Sequence, residues 1–179
     1  GGTLQSGGLL RVAGDANSTL ALNGNALGDS IDVDIGNVSV GARAAMVAQY
    51  TLDLDAAALS LAVEGSGADA RTGRILAAVD TGRQGRGTVR VSNAFTNDGL
   101  LFSAHDLEVQ APSITVGATG AISALNDLEV HANGGTLDLS AATPNAQAGN
   151  LNNAGLLYAG RMLTAQANGT LVNTGDIHS

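Results

Sequence analysis

The sequence has no cysteine, no tryptophan and no lysine, and only two residues each of phenylalanine, tyrosine, methionine and proline among its 179 positions. Without cysteine there is neither a disulfide framework nor a thiolate metal site. The same absence suits a chain that crosses membranes unfolded, because no crosslink can block the passage. Without large aromatics the core is not of the irregular kind, in which rings fill the gaps between layers. Apolar content is nevertheless 44%, so it comes from Leu, Val, Ile and Ala, beside 25 glycines. Small aliphatics with frequent glycine point to regular stacking of near-identical units. All eight positive charges are arginine against sixteen acids, for a net charge of −8. That balance argues against a nucleic-acid partner. No apolar run approaches the ~18 residues of a membrane helix, so membrane insertion is not expected. The opening Gly1-Gly2-Thr3 has no basic or apolar leader region, and the chain reads as a piece of something longer.

What is present is strict alternation in short bursts. Examples are Ile31-Asp-Val33-Asp-Ile35, Leu59-Ser-Leu61-Ala-Val63, Leu107-Glu-Val109 and Leu128-Glu-Val130. Period two means one face buried and one wet. Gly, Asn, Asp and Ser, the residues of turns, separate the bursts. No window has helical period, so the chain is expected to be all-β.

The bursts also repeat. Gly99 to Ala111 (GLLFSAHDLEVQA) aligns with Gly120 to Ala132 (GAISALNDLEVHA) at an offset of 21 residues, and Gly155 to Ala167 (GLLYAGRMLTAQA) is a third copy. Six residues separate the first aliphatic from the second each time: Leu101 and Leu107, Ile122 and Leu128, Leu157 and Leu163. A further aliphatic follows at Ile114, Leu137 and Leu171. Three short strands in about twenty residues cannot bury their own inner face, but stacked copies can. The pattern therefore predicts one domain over 1–179, a right-handed parallel β-helix of triangular section with coils of about 20 residues rising ~4.8 Å each. Eight or nine coils would give a rod of roughly 40 Å. Leu107, Val109, Ile114, Val116, Leu128, Val130, Leu137, Leu139, Leu163 and Leu171 are predicted to point inward. The clear repeats cover 95–179. Two segments break the rhythm: 64–88 reads as an irregular Arg- and Gly-rich loop around a strand at 75–79, and 142–152 reads as a loop projecting from the rod.

The repeats share Asn97-Asp-Gly99-Leu-Leu101, Asn153-Ala-Gly155-Leu-Leu157 and Asn173-Thr-Gly175-Asp-Ile177, the first two followed six residues on by Leu-x-(Val/Ala)-x-Ala. This pattern resembles the repeat region of filamentous haemagglutinins and related two-partner-secreted bacterial exoproteins, including contact-dependent-inhibition proteins. The resemblance implies a structural shaft of a secreted, surface-held adhesin, attaching a bacterium to host cells or to its neighbours. It implies as partners an outer-membrane transporter during secretion and a host-cell receptor or glycan. The fragment itself is expected to be monomeric.

Three side-chain groups could carry chemistry. Arg71, Arg74, Arg83, Arg86 and Arg90 fall within twenty residues that hold one acid, Asp80. Guanidinium forks match sulfate and carboxylate bidentately, so Arg71, Arg74, Arg83 and Arg86 are candidates for binding anionic glycans. The same residues also suit a solvated loop that pairs with the acidic rod. The 21-residue offset places Asp106 against Asp127 and Glu108 against Glu129. That ladder reads as a water-screened face, because the glycine-rich nonapeptide of calcium-binding β-rolls is absent. His105, His131 and His178 lie at outward or turn positions, none at metal-ligand spacing from another. Asn97, Asn153 and Asn173 read as turn residues whose amides bond the backbone and stack as a ladder. No catalytic, cofactor-binding or metal-binding residue and no cofactor is expected. The alternative is a β-helix lyase or hydrolase acting on polysaccharides. It would need convergent carboxylates or a base beside a cation, and the acids here alternate along strands without gathering around His or Arg in any one coil.

Overall fold

The structure is a computed structural model and describes residues 2–65, 70–133 and 149–179. The described residues form strands and no helix. Seventeen strands belong to one large sheet, and its pairings are parallel, so the sheet coils nearly closed on itself as a solenoid.

The pairings fall into three stacks. In the first, Thr3–Gln5 pairs with 25–27, and the stack continues through 45–48, Arg74–Ala77, Leu100–Ser103, Ala121–Ala124 and Leu156–Ala159 to Asp176–His178. The second runs from Leu9–Ala13 through 30–35, 51–56, 86–91, Asp106–Ala111 and Asp127–Ala132 to Met162–Ala167. The third runs from Thr19–Leu22 through 37–40, 58–61, 94–97, Ser113–Val116 and Asn150–Asn153 to Leu171–Asn173. Among the described residues that makes seven complete turns and the first strand of an eighth, against the eight or nine anticipated. At the normal strand spacing the stack is about 35 Å long.

Leu107 pairs with Leu128 and Val109 with Val130, as the 21-residue offset predicts. Leu107, Val109, Ile114, Val116, Leu128 and Val130 are buried. Leu163 is partly buried against the core. Leu171, which pairs with Leu151 on the last rung described in its stack, is 46% exposed and departs from the inward position expected. Leu137 and Leu139 lie outside the described residues. The third strand of their coil is instead Asn150–Asn153, which pairs with Ser113–Val116 and buries Leu151. Of the loop expected at 142–152, residues 150–152 are strand, and 142–148 lie outside the described residues.

The described part of 64–88 holds more strand than the one expected there. Val63–Glu64 and Arg71–Thr72 form a small antiparallel pair outside the main sheet. Arg74–Ala77 then rejoins the first stack. This strand is shorter than the 75–79 predicted, because Ala78 turns the chain through a left-handed conformation at φ 49°. Arg86 and Gly87 already belong to the strand Arg86–Asn97.

The repeated Asn-x-Gly has a packing reason. Asn97 and Asn153 close the third-stack strands with their side chains buried inside rather than exposed in the turn. Asn97 donates through Nδ2 to the Ala121 carbonyl at 2.9 Å and accepts from the Gly99 amide at 3.1 Å. Asn153 donates to Asn173 Oδ1 at 2.8 Å, so these two stack. Asn97 stands apart from that ladder, because Val116 occupies the rung between it and Asn153. Each following glycine presses on the backbone of the coil before: the residue after it donates to a glycine carbonyl one turn back, Leu100 to Gly73 at 3.0 Å, Ala121 to Gly99 at 2.8 Å, Leu156 to Gly120 at 3.0 Å and Asp176 to Gly155 at 2.8 Å. There is no room in this column for a side chain.

Candidate functional site

With the core filled, chemistry is left to the outer faces and corners. The second face carries most of the acids among the described residues, because its outward positions alternate with Leu and Val that must face in. Asp32, Asp53, Thr88, Glu108 and Glu129 share one outward row, and Asp34, Asp55, Arg90, Gln110 and His131 the next. Like charges stacked at strand spacing repel. The structure relieves that with arginines rather than with water alone: Arg90 reaches Asp53 at 2.9 Å and Asp55 at 3.7 Å, Arg86 pairs with Glu108, and Arg161 pairs with Asp127. Carboxylates and guanidinium groups thus do meet across neighbouring coils, a grouping invisible when each coil is read alone.

Along the corner between the second and third faces runs an open trough of about 550 Å³. Its floor includes Ile35, Ala56, Val91 and Ala111, and its rim includes Asp15, Asp34, Asp55, Arg90 and Gln110. The arrangement can hydrogen-bond an extended hydroxylated chain through these carboxylate, guanidinium and amide groups. Burial pushes the Asp55 carboxyl above its ordinary range, helped by the neighbouring Asp53 and Asp34 and opposed by Arg90. An acid whose folded pKa lies above its unfolded value of ~3.9 loses stabilising protonation as pH rises through that window. Asp55→Asn should therefore raise the melting temperature slightly at pH 7, the effect being small for a half-exposed group. The gain should vanish below about pH 4, where the aspartate is protonated in both states. Melting curves of parent and variant across pH 3–8 check this, and a variant less stable than the parent at pH 7 contradicts it.

The four candidate glycan-binding arginines do not converge. Arg83 lies over the Tyr50 ring, 4.9 Å from its centroid, and Arg86 is engaged by Glu108. Both sit at the corner between the first and second faces. Arg71 and Arg74 sit at the other end of the first face, where they line a depression of about 300 Å³ together with Arg43. Sequence reading missed Arg43, which lies outside the Arg-rich window. The available signal was the coil offset, since Arg43 bonds Glu64 twenty-one residues on. His105 bonds the Asp80 carbonyl at 3.0 Å and His131 faces Glu129 at 3.5 Å. No group of three or more metal-ligating side chains gathers among the described residues, and these residues include no helix long and apolar enough to cross a membrane. Comparison with family models, curated proteins and solved structures finds no match for the chain.

Proposed function

We propose that this chain is a stretch of the structural shaft of a secreted bacterial surface adhesin of the filamentous-haemagglutinin type. On this reading the solenoid is a right-handed parallel β-helix of triangular section, the hand being the one that parallel crossovers take in nearly all proteins. The observation that carries the proposal is the continuity of the three stacks, from Thr3–Gln5 to Asp176–His178, with aliphatics stacked rung on rung. Such a body contacts only its neighbouring coils, so it can be lengthened without redesign and serves as a spacer. The resemblance in the Asn-x-Gly repeats supplies the rest: export through an outer-membrane transporter and attachment to a host receptor or glycan.

Antibodies raised against residues 95–179 should label the outside of intact bacteria that make the protein. Labelling only after the cells are lysed would count against the proposal. Polysaccharide cleavage is the competing reading, and the trough with Asp34, Asp55 and Arg90 is where it would act. Unsaturated or reducing ends released from uronic-acid polymers, and lost in Asp55→Asn, would favour that reading instead.

A further inference from the structure

The depression at the corner between the third and first faces gathers guanidinium groups from three separate pieces of chain. Arg43 lies in the turn after the strand Asn25–Val40, Arg71 on the small antiparallel pair, and Arg74 at the start of the strand Arg74–Ala77. The backbone beneath them is held firmly. The Arg74 amide donates to the Ala44 carbonyl at 3.0 Å and the Gly73 amide to the Ala62 carbonyl at 2.7 Å. Gly73 packs so closely on the coil before that a methyl group there would stand 2.4 Å from the Val40 carbonyl oxygen. The antiparallel pair that carries Arg71 is the one departure from parallel pairing among the described strands.

The charges in this corner are unbalanced. Glu64 binds Arg43 through both of its carboxylate oxygens, at 2.9 and 3.4 Å. Among the described residues, Arg71 and Arg74 have no ion pair. Elsewhere Arg11, Arg86, Arg90 and Arg161 are placed against acids, and Arg83 lies over the Tyr50 ring. Three exposed cations around an open hollow, on a protein of net charge −8, form a local reversal of sign. Guanidinium forks recognise the oxygens of sulfate, phosphate or carboxylate in pairs. The Glu64 carboxylate already occupies one such fork and stands for the group an incoming ligand would present.

We infer that Arg43, Arg71 and Arg74 form a binding site for an oligoanion carrying at least two oxyanion groups, one held by Arg71 and Arg74 and one competing with Glu64 for Arg43. The inference stands independently of the shaft proposal, since it concerns this corner whatever the whole protein does. The probes are sucrose octasulfate, trigalacturonate and inorganic sulfate, titrated into the whole chain at low ionic strength by calorimetry. At least one of the two oligoanions should bind ten or more times as tightly as inorganic sulfate, because only an oligoanion engages both groups at once. Which one binds identifies sulfate or carboxylate as the recognised group. Arg71→Gln with Arg74→Gln should weaken binding at least tenfold, whereas Arg11→Gln with Arg161→Gln should change it less than twofold. Glu64→Gln should strengthen binding several-fold by releasing Arg43, a gain of function that no folding defect imitates. The inference is overturned if the parent binds neither oligoanion, if both arginine pairs lose binding equally, or if Glu64→Gln leaves affinity unchanged.

Discussion

Leu128→Ala should destabilise the protein by about 2–5 kcal/mol, the cost of a cavity left in a core that cannot collapse around it. Leu128 is fully buried and lies in one ladder between Leu107 and Leu163. Shifting either neighbour to fill the gap would break the parallel register of a whole rung, so relaxation is limited. Leu128→Asp should cost more still, because a buried carboxylate there meets only aliphatic neighbours. Glu129→Ala, one position along and facing outward, should stay within about 0.5 kcal/mol of the parent. Denaturant midpoints of the three variants, with the slope m checked for constancy, measure the order. A Leu128→Ala loss no larger than that of Glu129→Ala would reverse the assignment of inside and outside on this face.

The second large effect is expected at Gly155. A methyl group there would stand 2.1 Å from the Gly120 carbonyl oxygen and 2.4 Å from that of Gly117. Neither oxygen is free to move. Gly120 accepts the Leu156 amide at 3.0 Å, and Gly117 accepts the Gly120 amide at 2.8 Å, so both hold the corner together. Gly155→Ala should therefore cost about 3 kcal/mol, the upper end for overpacking, as the two coils are forced apart at that corner. Gly7→Ala is the control, since nothing lies within 4 Å of a methyl group at that position. It should be neutral or stabilise by up to about 1 kcal/mol through the unfolded chain. Similar melting temperatures for the two variants would show that the glycine column is not a packing requirement.

Much of the fold was legible because its two governing signals are local. Alternation of Leu and Val with polar residues marks what faces in, and the recurrence of Leu107-Glu-Val109 as Leu128-Glu-Val130 sets which strand lies on which. A residue facing in on one coil must stack on a residue facing in on the next, so a clean offset in sequence becomes a register in space. The Asn-x-Gly repeat was legible as a corner for the same reason, although Asn97 and Asn153 proved to be interior groups bonding the next coil.

Other features follow from no local pattern. The strands 25–40 and 45–61 run through two corners with little punctuation, so the register of the first half emerges only from the pairing of whole rungs. The strand that pairs with Ser113–Val116 is Asn150–Asn153 rather than the aliphatics nearest the repeat offset, because a rung is set by the fit of the strand beneath it and not by spacing along the chain. Charge partners were likewise hidden. The sequence by itself determined that this chain stacks, that Leu107, Val109, Ile114, Val116, Leu128 and Val130 fill the interior, and where the repeat turns, since these depend on residue type at short spacing. Only the tertiary structure decided that Arg86 and Arg90 serve the acidic face while Arg43 joins Arg71 and Arg74, because coiling makes neighbours of residues a full turn apart and separates residues that are close along the chain.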